Sequence, residues 1–130
     1  MLLIDNETKT IAFNRADEVN FILELNDEDG NPFPLLNSDY VRLNVMAKKD
    51  YISGTIFSKI FEAENGENTV QITLTSEEMA MFEKTNKQVT YWYDLVLNDT
   101  ETLIGFESSD ADNKGAKKLI VLPRGEDEYA

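Results

Sequence analysis

Of the side chains that could do chemistry in this sequence of 130 residues, carboxylates dominate: 25 Asp and Glu stand against 12 Lys and Arg, with no histidine and no cysteine. The densest group is L-N-D-E-D-G-N-P-F, Leu25 to Phe33. Its Asp27, Asp29 and Asn31 have the one-three-five spacing of oxygen ligands in a helix-loop-helix calcium site. The sixth position of such a loop needs glycine and the twelfth a bidentate carboxylate, whereas here they are Pro32 and Ser38. No helical pattern flanks the loop. The spacing therefore predicts a turn, with Asp29-Gly30 reversing the chain and Asn31-Pro32 redirecting it. A weak calcium site of another type at 27–31 is the alternative. The run S-S-D-A-D-N-K-G repeats the spacing at Asp110 and Asp112, but Lys114 and Val121 take the fifth and twelfth positions. A cation among the ligands argues for a solvated loop.

Other chemistries fare worse. Without cysteine there is no disulfide, thiolate metal site or thiol nucleophile. Without histidine the commonest general base and zinc ligand are missing. No G-x-S-x-G, S-x-x-K or phosphate-loop pattern occurs. A glycosidase-like pair of acids needs a cleft holding them roughly 5–10 Å apart, and spacing along the chain selects no pair. The sequence thus predicts no catalytic residues, no metal and no cofactor. The net charge of −13 and isoelectric point near 4.3 repel nucleic acid and anionic lipid, and favour a protein partner with a basic patch.

The elements that must position these groups alternate with a period of two. Val19, Phe21, Leu23 and Leu25 share one face of a strand, as do Val41, Leu43 and Val45 of the next. Val70, Ile72 and Leu74 form a third such set, and Val89, Tyr91, Tyr93, Leu95 and Leu97 a fourth. Weaker runs surround Ile11–Phe13, Ile56–Phe61, Leu103–Phe106 and Leu119–Leu122, and the short L-L-I-D adds an edge strand. The sum is an all-β protein, an antiparallel β-sandwich of 8–9 short strands. One helix interrupts them at about 76–84, where Thr75-x-x-Glu78 is a capping box and Met79 and Phe82 share a face. Too short to stand alone, it is expected to be a crossover between strands.

The length suits one domain, 1–124, followed by an acidic tail at 125–130 that is expected to fray. No run reaches the roughly 18 apolar residues of a membrane span, and M-L-L-I-D-N-E-T-K lacks the basic and apolar regions of a signal peptide. The expected location is the cytoplasm when made, or a larger particle after assembly.

In Y-W-Y, Trp92 is out of phase with Tyr91 and Tyr93 and faces the opposite side of its strand. It is a candidate contact residue, for protein or for carbohydrate. The strand edge near Leu2, Leu3 and Ile4 is a second candidate, because unpaired backbone groups can pair with another chain.

The order of the motifs T-I-A-F-N-R-A-D-E-V, L-N-D-E-D-G-N-P-F, D-Y-V-R-L-N-V-M-A-K-K, V-Q-I-T-L-T-S-E-E-M and Y-W-Y-D-L-V-L-N-D resembles one family. Its members are small immunoglobulin-like β-sandwich domains from phages and prophages of Gram-positive bacteria, similar to the N-terminal domain of baseplate upper proteins. The resemblance runs over nearly the whole chain and ends in L-I-V-L-P at Pro123. This sequence departs from it at Ala16, where the pattern usually has glycine, and in its acidity. The resemblance implies an immunoglobulin-like fold and a virion or tail component without catalysis or cofactor. Such a component contacts other tail proteins, often in a symmetric homo-oligomeric ring. The rival expectation is a carbohydrate-binding module on the same architecture, with Trp92 and a second ring exposed on one flat face.

Overall fold

The computed structural model describes residues 2–4, 8–27, 29–47, 54–82, 86–104 and 117–123. The loop at 107–116 and the tail at 125–130 lie outside them.

Each alternating run is a strand: β1 (Leu3–Ile4), β2 (Ile11–Asn14), β3 (Val19–Glu24), β4 (Tyr40–Met46), β5 (Thr55–Glu62), β6 (Thr69–Leu74), β7 (Val89–Leu97), β8 (Glu101–Ile104) and β9 (Lys117–Leu122). The larger sheet runs β1-β2-β9-β7-β4-β5, and β8 joins it beside β7. β9 pairs with the first half of β7 and β8 with the second, so the two follow one another along the same edge. The smaller sheet is β3-β6. The chain passes between sheets at β2–β3, β3–β4, β5–β6 and β6–β7, so the two sheets form a sandwich-like all-β arrangement.

One pair is not antiparallel. β2 and β9 run side by side in the same direction, Ile11 opposite Leu119 through Asn14 opposite Leu122. More than a hundred residues separate them in sequence, so no hairpin forces opposite directions.

The core is built by the predicted faces. Val19, Val41, Leu43, Val45, Val70, Ile72, Leu74, Tyr93 and Leu95 are all buried in one cluster. The helix, α1 (Ser76–Met79), is a single turn, shorter than the expected 76–84. Thr75 caps it, and Ala80 already ends it. Beyond it, Met81 and Phe82 donate to carbonyls three residues back, the tightened geometry of a helix end. Buried Met79 and Phe82 nevertheless do the expected work. Phe82 meets the Phe13 ring edge-on at 5.8 Å and tilts against Tyr91 at 4.7 Å, tying the crossover to β2 and β7.

Lys59 locks the two layers together at their β5–β6 border. Its ammonium donates to the Thr73 carbonyl at 3.0 Å and to Glu78 at 2.8 Å. Glu78 also accepts the Thr75 backbone N–H at 2.9 Å, while Thr75 Oγ1 accepts the Glu78 N–H at 3.1 Å.

Candidate interaction surface

Asp27 and residues 29–31 are joined by the hydrogen bonds of a turn. One carboxylate oxygen of Asp27 accepts the backbone N–H groups of Asp29 and Asn31, both at 2.9 Å. The Asp27 carbonyl accepts Gly30 N–H, and Asn31 returns its carbonyl to Asp27 N–H. Gly30 has φ +83°, the left-handed conformation that the turn demands and glycine tolerates. Asp27 thus organises the backbone.

Beside this turn the end of β3 and the β7–β8 hairpin enclose an open space of about 660 Å³, with Phe33 and Leu97 in its lining and Glu24, Asp27, Asp29 and Glu101 at its border. Among the described residues no three such groups are placed to hold a metal. The one carboxylate buried among them, Asp94, lies elsewhere.

Asp94 belongs to a polar lattice on the outer face of the larger sheet. Alternation puts Tyr40, Arg42 and Asn44 on one side of β4, and β5 and β7 flank them. Asn44 donates to Asp94 at 2.8 Å and accepts from Ser58 at 3.0 Å. Arg42 donates to Ser58 at 3.1 Å and holds Asp99 with two nitrogens, at 2.7 and 3.3 Å. Tyr40 donates its hydroxyl to the same Asp99. Asn98 and Asp99 take φ of +52° and +58°, the paired left-handed values of a tight hairpin. Asn98 donates its backbone N–H to Tyr40 and its side-chain amide to Asp39. Arg42 and then Tyr40 hold the Asp99 carboxyl below the usual carboxylate range, and Asp99 in turn raises the Tyr40 phenol. The Leu36 N–H and the Asn98 amide lower Asp39 in the same way. These groups satisfy one another and rigidify a surface.

The predicted contact residues separate. Trp92 does face away from the core, half-buried, with Met46 and Lys118 as its register partners. Tyr91 and Tyr93 turn inward, and buried Tyr93 donates its hydroxyl to the Lys9 carbonyl. Burial raises the Tyr93 phenol far above its ordinary value. No second ring therefore joins Trp92 on its face from its own strand. Leu3 and Ile4 are exposed on the edge strand β1, at 53% and 40%. Leu2 packs against the core, because the residue just before this strand still lies over the apolar interior. β1 and β7 are three strand spacings apart, roughly 14 Å, so the two candidates form no single patch.

No family model, curated protein or solved structure matches this chain.

Sequence reasoning passed over the opposite edge of the larger sheet. β5 spans eight residues, against two in β1, and exposes Ile56 and Ile60. The signal was the apolar doublets in T-I-F-S-K-I-F. They give both faces of the strand hydrophobic residues, which a strand with one solvated face does not need.

Proposed function

We propose that this protein is a non-catalytic structural module of a phage or prophage tail, baseplate-like in setting, that works through protein–protein contacts. Its partners are other tail proteins and further copies of itself. The observation that supports this reading most is the backbone at Ala16, where φ is +65°. The pattern that this chain resembles usually has glycine at this position, where the sequence has alanine, and a left-handed conformation is a physical reason for glycine there. A left-handed R-A-D corner is compatible with the glycine of that pattern. The D-G-N-P turn adds to it, with left-handed Gly30 where the motif has its glycine. The polar groups of the outer lattice are engaged with one another, which suits a rigid spacer that presents edges and loops.

The test is mass spectrometry of purified particles released by inducing the bacterium that carries the gene. Peptides of this chain in the tail fraction are the expected result. Their absence from particles that contain the other tail proteins would overturn the reading.

A further inference from the structure

We propose that the free edge of β5 binds an extended, basic segment of a partner protein, which joins the larger sheet as an additional strand. This rests on the protein-contact reading above and names the surface and the chemistry of the partner.

The direction of the backbone groups follows from two bonds. Ala63 donates its N–H to the Asp39 carbonyl, and Asn98 donates to the Tyr40 carbonyl on the other side of β4. Alternate residues of an antiparallel strand direct their N–H and C=O to alternate sides. With the register Val41–Phe61 and Leu43–Lys59, Phe57, Lys59 and Phe61 turn theirs toward β4. Ser58, Ile60 and Glu62 aim theirs outward, where no strand among the described residues pairs with them.

Protein edges are usually blunted by proline, shortness, a bulge or an outward lysine. β5 contains no proline, and its only basic residue, Lys59, is spent on Thr73 and Glu78. The register shift opposite Val45 and Met46 touches only its first residues, leaving 57–62 regular. Exposed Ile60 offers an apolar contact beside the open backbone groups.

Charge selects the occupant. At the last residue of the strand and just beyond it, Glu62, Glu64 and Glu67 line a cleft of about 230 Å³ together with Ile22, which is 68% exposed, and the lining contains no lysine or arginine. A lysine or arginine of an incoming strand lays its aliphatic stem on Ile22 and its cation among the three carboxylates. A second copy of this chain would instead oppose these glutamates with its own, at −13 on each side.

The experiment follows amide hydrogen exchange by NMR, with the peptide KVTVKVK as probe and EVTVEVE as its acidic counterpart. In the free protein the amides of Ser58, Ile60 and Glu62 should exchange faster than those of Phe57, Lys59 and Phe61. KVTVKVK should slow the first set, and EVTVEVE should not. Ile60→Pro removes an outward N–H without breaking a bond to β4, and should weaken KVTVKVK binding about tenfold or more. Glu62→Lys, a surface change, should weaken it as well. Slow exchange of the outward amides in the free protein, whether from a covered edge or from dimers seen by sedimentation, would overturn the proposal. So would equal binding of the two peptides, or undiminished binding by folded Ile60→Pro. A chain found in tail particles but indifferent to KVTVKVK would retire this inference and leave the tail reading standing. Binding of KVTVKVK by a chain absent from particles would do the reverse.

Discussion

Removing the charge of Glu78 or Lys59 tests how far one ion pair couples the two layers. Glu78→Ala deletes the acceptor for the Thr75 N–H, half of the capping box, a loss of about 0.5–1 kcal/mol. It also breaks the bond to Lys59, whose side chain is 30% exposed against 28% for Glu78. A partly exposed pair of this kind contributes about 0.5–1 kcal/mol. The expected total is about 1–2 kcal/mol, or a fall in melting temperature of roughly 3–8 °C for a chain of this size. Lys59→Met keeps the aliphatic stem but strands the Thr73 carbonyl, and should cost about 1–2 kcal/mol. Glu78→Gln preserves an acceptor for Thr75 and isolates the charge. Urea denaturation of Glu78→Gln, Lys59→Met and the double variant gives the coupling directly, expected at about 0.5–1 kcal/mol. Costs that add to within about 0.3 kcal/mol would refute the claim that this pair joins α1 to β5.

Three other outcomes are expected. Leu95→Ala, deep in the core, should lose about 2–5 kcal/mol in urea denaturation. Asp27→Ala should lose about 1 kcal/mol, because two backbone N–H groups lose their acceptor, and calcium should leave the melting temperature of the parent unchanged. Acid should erase the stabilising effect of Arg42: the Asp99 carboxyl is depressed in the folded state, so its contribution is present above about pH 4 and lost as pH falls through the lower folded value. The gap in urea midpoint between the parent and Arg42→Met should therefore be open at neutral pH and close in acid; an equal gap at both would count against the pair.

The strands were legible because each buries one face, and burial of one face writes a period of two into the sequence. Val19 through Leu25 and Val89 through Leu97 fall where alternation placed them. The helix was overextended because Met79 and Phe82 do share a buried side, although Phe82 reaches it from a tightened turn. Pairing between β2 and β9 left no local trace, since neither strand's composition records a neighbour so distant in sequence. The same holds for Asp94: nothing in Y-D-L shows that Asn44 of another strand satisfies its carboxylate. The turn at Asp29-Gly30 was legible, but not that Asp27 accepts its amides, because such an acceptor looks, in sequence, like any other acid near a glycine. For the contact surface, the outward side of Trp92 could be read from phase, and the apolar doublets of T-I-F-S-K-I-F marked a second apolar face on β5, but not its place at the sheet edge. Its exposure depends on which strand ends the sheet, a property of topology.

The parallel contact of β2 with β9 also determines how this protein bears a load. Tension applied before β2 and after β9 pulls the two strands past each other along their length. The four register pairs, with the Arg15 N–H on the Leu122 carbonyl and the Asn14 amide on the Pro123 carbonyl, then resist in shear and must give way together. A hairpin in their place would unzip one pair at a time. Under force, survival depends on the height of that single barrier and not on the equilibrium stability of the sandwich.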